Sequence, residues 1–259
     1  MNMNKIISKI GIAFALLALI GSCSVENLPQ DEEAYGRINF ALNAGDARAI
    51  DTSYDKNAFQ VSVKQGNNTV VKPQPYSEMQ DGVLVKVGSG YQAYAESCSE
   101  AEAESANGGW GRIRYYGASE LFAVAKDQAM WVELPCAVVN AAVSVQTDEE
   151  VTSSAYRLTI QASDNTGRSL TFDSSTKENI AYFNVAGSRT IQYTLTIGDY
   201  TLSQSFAIQP QHSYTLDVHK QTNEEITVSI GVTVDDTVDE DTTEGTYNPY
   251  YKQLLNITE

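Results

Sequence analysis

Residues 189–208 read "RTIQYTLTIGDYTLSQSFAI". Ile191, Tyr193, Leu195 and Ile197 alternate with polar residues, Gly198 and Asp199 interrupt, and Tyr200, Leu202, Phe206 and Ile208 resume on the same period. Alternation on both sides of a two-residue glycine turn specifies a β-hairpin whose strands each have one wet and one dry side. Upstream, "YRLTIQAS" and "RSLTF" flank "DNTG", where Asn165 and Gly167 suit positive φ and predict a second hairpin. Tyr214, Leu216 and Val218, then Ile226, Val228, Ile230, Val232 and Val234, mark two more one-faced strands. One dry face per strand is what two packed sheets require.

The first half carries the same signal in shorter pieces. "GRINFAL" offers Ile38, Phe40 and Leu42, "FQVSV" offers Phe59, Val61 and Val63, and "QGNN" turns the chain into "TVVKP". "GVLVKVGSGYQAYA" gives two further strands around Gly88 and Gly90. The stretch "ASELFAVAKDQAMWVELP" has helix-forming composition. Its apolar runs are short and end at Pro135, which favours strand. The whole pattern predicts an all-β protein of two consecutive Greek-key β-sandwich domains, residues 36–142 and 143–236, joined near Asn140 to Val145.

At the start, Lys5 and Lys9 precede an apolar run from Ile10 to Ile20, then Gly21, Ser22 and Cys23. This order matches a secretory signal, and the run is shorter than the about 20 residues a spanning helix needs. Cys23 resembles the lipidation site of a bacterial lipoprotein, so residues 1–22 are expected to be the signal peptide and residues 23–35 a lipidated acidic tether. The net charge of −16 becomes −18 once the two lysines leave, a balance that repels phosphate backbones and argues against nucleic-acid partners. Cys98 and Cys136 then remain, open to two readings: a disulfide of the exported protein, or two buried free thiols.

"PYSEMQDGVLVKVGSGYQAYA", "YYGASELFAV", "CAVVNAAVSV", "SLTF" and "AYFNVAG" follow in the order of a Bacteroidetes lipoprotein family catalogued as domain of unknown function 4493, which the chain resembles from about Gly36 to Val238. That family is similar to fimbrillin-type surface proteins, and the resemblance implies two transthyretin-like sandwiches behind a lipoprotein signal. It also implies protease removal of an N-terminal strand, for which Arg37 and Arg48 are the matching candidates, and donation of a terminal strand to a neighbouring subunit. The chain departs from the family in the acidic insertion "SCSEAEAESANGG" from Ser97 to Gly109. Glu26, Asp31, Glu32 and Glu33 resemble a surface-export signal, placing the expected anchor in the outer membrane.

The residues offer little to catalysis. His212 and His219 match no zinc spacing, and no G-x-S-x-G elbow or phosphate loop occurs. The acids of "VDDTVDEDTTE" lack the glycine-turned calcium spacing and read as a solvated linker, within residues 237–259. The expectation is a protein without enzyme activity, cofactor or metal. Beyond the linker, Tyr250, Tyr251, Leu254, Leu255 and Ile257 form an apolar tail with three readings: packed on its own domain, frayed, or donated as a strand. "GGWGRIRYYG" places Trp110, Tyr115 and Tyr116 near Arg112 and Arg114 as a candidate glycan platform. The sequence thus describes a lipid-anchored surface protein that adheres or associates with a pilus, with glycan binding as the alternative.

Overall fold

The alternation of residues 189–208 becomes two strands joined at Gly198, whose φ of 57° suits the tight turn. The computed structural model describes residues 33–44, 54–222 and 226–235. In chain order the strands are β1 (Tyr35–Ala44), β2 (Gln60–Gln65), β3 (Asn68–Pro75), β4 (Val83–Lys86), β5 (Gly88–Glu96), β6 (Tyr115–Ala118), β7 (Phe122–Val124) and β8 (Ala129–Val138). They continue as β9 (Asn140–Thr147), β10 (Tyr156–Ala162), β11 (Asn165–Phe172), β12 (Ala181–Asn184), β13 (Arg189–Ile197), β14 (Tyr200–Ile208), β15 (Ser213–Thr222) and β16 (Ile226–Asp235). Two short helices interrupt them, α1 (Glu100–Ser105) and α2 (Glu149–Thr152). The helix-like stretch before Pro135 is strand, as β7 and β8.

Strands β1 to β8 make one sheet in the order β3-β2-β5-β6-β8-β1-β4, with β7 on β5. Its strands send Ile38, Phe40, Val61, Tyr91, Ala93 and Leu134 into one core, so the sheet curls around that core. The remaining strands form two sheets, β11-β10-β13-β14 and β12-β9-β15-β16, which face each other across a second core of Leu158, Ile160, Phe172, Ile191, Leu195, Leu216 and their neighbours. Strand β9 passes between the cores: Ala141 and Val143 enter the second, Ala142 the first. From Tyr35 onward the described chain is one compact unit.

The β10–β11 turn departs from expectation. Neither Asn165 nor Gly167 has positive φ. Ala162 pairs with Asn165 and Gln161 with Ser169, so Thr166, Gly167 and Arg168 are left out of register as a bulge. The bulge directs the Arg168 side chain to the carbonyls of Gly109 and Tyr182 at 2.9 and 2.8 Å.

Cys98 and Cys136 are not joined; both are free and buried, which corrects the disulfide reading. Strand β6 lies between β5, which leads to Cys98, and β8, which carries Cys136. Two strand spacings are about 9–10 Å, whereas the Cα atoms of a disulfide lie within about 7 Å. The Cys136 thiol instead donates to the Ala95 carbonyl at 3.8 Å, and burial pushes it up to about 11.

Two measurements follow from these thiols. In Cys23→Ser, which leaves these as the chain's two thiols, unfolding without reductant is expected to expose both to a thiol reagent, and the native state neither. An unfolded thiol loses its proton near 9 and the native Cys136 only near 11, so above pH 9 the native state holds the extra proton. Stability therefore falls as pH rises from 9 to 11, by about 2–3 kcal/mol more in the parent than in Cys136→Ala.

Candidate functional site

Where the two cores meet, a short helix made of the acidic insertion supplies the contact. Ser99 caps α1 by accepting from the Glu102 amide at 3.3 Å, while the Glu102 carboxylate accepts from the Ser99 amide at 2.8 Å. These hydrogen bonds hold the Glu102 carboxyl below its ordinary range, with Arg112 adding a smaller attraction. The cap fixes the helix with Ala103 buried, and the neighbouring Glu104 reaches arginines of the pair of sheets around the second core.

Glu104 meets two arginines there. Its Oε1 accepts from Arg189 Nη1 at 2.6 Å and lies 3.9 Å from Arg168 Nη1; all three side chains are only 11–13% exposed. Burial works against the charge of Arg168 and lowers its pKa, with Glu104 opposing and Arg189 adding repulsion. Burial also opposes the charge of Arg189, but hydrogen bonds to Glu104 and Asp164 outweigh it and raise the pKa. The Arg168 guanidinium also covers the Phe183 ring at 4.5 Å.

A chain of amides runs beside these charges. Asn140, fully buried at the start of β9, accepts from the Arg114 amide and donates to Asn184 Oδ1 at 3.0 Å. Asn184 donates in turn to the Glu100 carbonyl at 3.0 Å. First core, β9, β12 and α1 are thus connected by satisfied buried polar groups, which specify a single arrangement of the two cores.

The same junction opens into a groove of about 370 Å³. Tyr54, Phe59 and Tyr115 form its aromatic wall, with Tyr54 and Tyr115 ring centroids 4.9 Å apart. Asp55, Asn107, Arg112 and Tyr182 complete it, and Cys98 lies in its lining. Another depression, of about 420 Å³, lies over the β10-β13-β14 sheet. Its polar groups bond one another, Thr194 with Ser203 at 2.9 Å and Gln161 with Gln192 at 3.2 Å, so the junction groove offers the freer groups.

The expected glycan platform does not form as one surface. Trp110 packs edge-on against Phe172 at 4.9 Å, toward the second core. Tyr115 is buried in the first core, and Tyr116 lies on the opposite strand face, 37% exposed under the Arg114 guanidinium. Gly111, at φ 88° and with the Tyr182 carbonyl where a Cβ would stand, redirects the chain between Trp110 and β6, and strand alternation parts the two tyrosines. The segment does reach the groove, through Arg112, Ile113 and Tyr115.

The other sequence candidates are scattered. Arg37 is inside β1, paired to both β4 and β8, with Nη1 donating to the Asp81 carbonyl at 2.5 Å, so its backbone is held in the sheet rather than offered to a protease. Cys23, Arg48 and the tail residues Tyr250, Tyr251, Leu254, Leu255 and Ile257 lie outside the described residues. His212 bonds the Pro210 carbonyl and His219 faces Asp148 at 3.5 Å. Among the described residues no group of three or more His, Cys, Asp and Glu side chains is arranged to hold a metal. Glu104, Arg168, Arg189 and Asn140 were missed by sequence reasoning; the Ser99-x-x-Glu102 capping pattern and an asparagine inside "VVNAAV" were the available signals.

Removing the Glu104 carboxylate leaves the largely buried Arg168 guanidinium without a counter-charge and facing Arg189, which keeps Asp164. Glu104→Ala is expected to lose about 3–5 kcal/mol in urea unfolding. Its fluorescence and circular-dichroism midpoints are expected to separate, because the cores no longer unfold together, whereas the parent gives coincident midpoints.

No curated protein gives a match to the chain. Among solved structures, the fimbrial anchor protein Mfa2 from Porphyromonas gingivalis is similar at 12% identity and TM-score 0.45, over 77% of this chain and 97% of that one. A fimbrial assembly protein from Parabacteroides distasonis is similar at 10% identity and TM-score 0.38, over 78% of this chain and 98% of that one. Residues 35–249 match the family model described as Domain of unknown function (DUF4493), and the chain belongs to that family.

Proposed function

We propose that the protein is a non-enzymatic, lipid-anchored protein of the outer-membrane surface that works by association with other surface or pilus subunits, as an adhesion protein of fimbrillin type. The observation that carries the reading is the outer face of β8, β1 and β4. Trp131 is 69% and Leu84 62% exposed there, with Tyr35 and Arg37 on the same face. Arg37 stands opposite Leu84 on one side and Ala129 on the other, and Asn39 opposite Trp131, so one exposed face spans three strands with Leu84 and Trp131 on either side of β1. Large apolar side chains exposed on one sheet face around a polar strand suit an association surface.

β4 ends the strand order, and no further strand pairs with its outer edge among the described residues. Such an edge accepts an added strand through main-chain hydrogen bonds. In this reading the tail from Tyr250 to Ile257 supplies a strand to a neighbouring molecule, Cys23 carries the lipid, and the regions 36–142 and 143–236 act as two domains locked at β9. Arg37 stays uncut within β1.

Labelled palmitate is expected in the parent and absent from Cys23→Ser, and trypsin is expected to remove the labelled protein from intact cells. In sedimentation of the detergent-solubilised full chain, Trp131→Ser with Leu84→Ser is expected to shift assemblies of the parent to monomer. A labelled protein that trypsin cannot reach, or a parent that stays monomeric with every surface subunit offered, would remove the reading.

A further inference from the structure

We propose that the junction groove is a binding site for a carboxylated sugar, such as a hexuronic acid residue. This goes beyond the anchored-association reading and stands independently of it. A groove of about 370 Å³ lies within the range of small-molecule sites and has room for one pyranose ring.

Three features define the ligand. The first is a stacking surface. Tyr54 is part-exposed, while Phe59 and Tyr115 behind it are buried, at centroid distances of 5.8 and 4.9 Å. The Tyr54 hydroxyl donates to the Ala44 carbonyl at 3.0 Å, which fixes the ring. A rigid aromatic face backed by other rings suits the apolar C–H face of a pyranose, at little cost in side-chain entropy.

The second is a cation whose guanidinium is not hydrogen-bonded, with only a weak attraction to Glu102. Arg114 and Arg189 bond carboxylates, Arg168 lies beside one, and Arg37 bonds a carbonyl. Arg112 is exposed, lines the groove, and among the described residues makes no side-chain hydrogen bond or close ion pair. Its backbone is nonetheless fixed, the amide donating to the Ala103 carbonyl of α1 at 2.9 Å. Asp55 lines the same groove, so any preference for an anion is confined to the Arg112 end, where the planar fork fits a carboxylate.

The third is a set of acceptors for hydroxyls. Asn107 donates its amide to the Gly111 carbonyl at 2.8 Å, which leaves its Oδ1 to accept. Asp55 uses Oδ1 to cap the Asn57 amide at 2.9 Å and keeps its second oxygen. The ligand is divided accordingly: ring on Tyr54, carboxylate at Arg112, hydroxyls at Asn107 and Asp55. Neutral sugars lack the group that Arg112 selects, and simple anions lack the ring.

Calorimetric titration of the full chain in detergent micelles with D-glucuronate, D-glucose and acetate tests this directly. Glucuronate is expected to bind about tenfold or more tighter than either of the others, the size of one charge-assisted contact. Arg112→Ala is expected to remove the preference over glucose, Arg112→Lys to restore part of it, and Tyr54→Ala to weaken both sugars. Arg112 and Tyr54 lie at the surface, so unchanged circular dichroism checks that each variant remains folded. Glucuronate binding no tighter than acetate, or unchanged in Arg112→Ala, overturns the site.

Discussion

One carboxylate shared by two guanidinium groups holds this structure in a single arrangement. Glu104 projects from a six-residue helix that is too short to persist alone. The helix is fixed by its capping box, the capping box orients Glu104, and Glu104 neutralises Arg168 and Arg189 from the second core. Each part needs the others, because a buried charge without its partner is far costlier than a missing contact. The bulge in β11 belongs to the same arrangement: out of the ladder, Arg168 reaches both the Gly109 carbonyl and the neighbourhood of Glu104.

The strands were legible in the sequence because each has one buried face, and burial of one face leaves a period of two. Tyr193, Leu195 and Ile197 are buried as the alternation requires. The junction was not legible for the opposite reason. Glu100, Glu102 and Glu104 form one acidic run; Glu102 is a cap at the surface, yet Glu104 two residues on is largely covered by a partner sheet and bonded to Arg189, 85 residues downstream. "DNTG" has the composition of a tight turn, but placing Arg168 won over that local preference. The aromatic segment after Gly109 likewise looked like one face until Gly111 redirected it.

The two outer sheet faces show contrasting ways of meeting solvent. On β10, β11, β13 and β14, threonine, serine and glutamine side chains bond across strands, as Thr159 does with Thr171 at 3.3 Å, leaving a polar surface with few free groups. On β8, β1 and β4, Trp131 and Leu84 remain uncovered. A sheet that satisfies its own outer face resists sticking, and one that does not is available for assembly.

The placement of β1 also bears on mechanics. It is hydrogen-bonded to parallel β8 over eight register positions, from Arg37 to Ala44, and to antiparallel β4 on its other side. A pull applied at Tyr35 along the strand axis therefore loads both ladders in shear, with the bonds sharing the force instead of peeling one after another. Forced detachment is governed by the unfolding barrier rather than by equilibrium stability. A protein tethered through residues ahead of Tyr35 would hold its first core together under drag for reasons of strand direction alone.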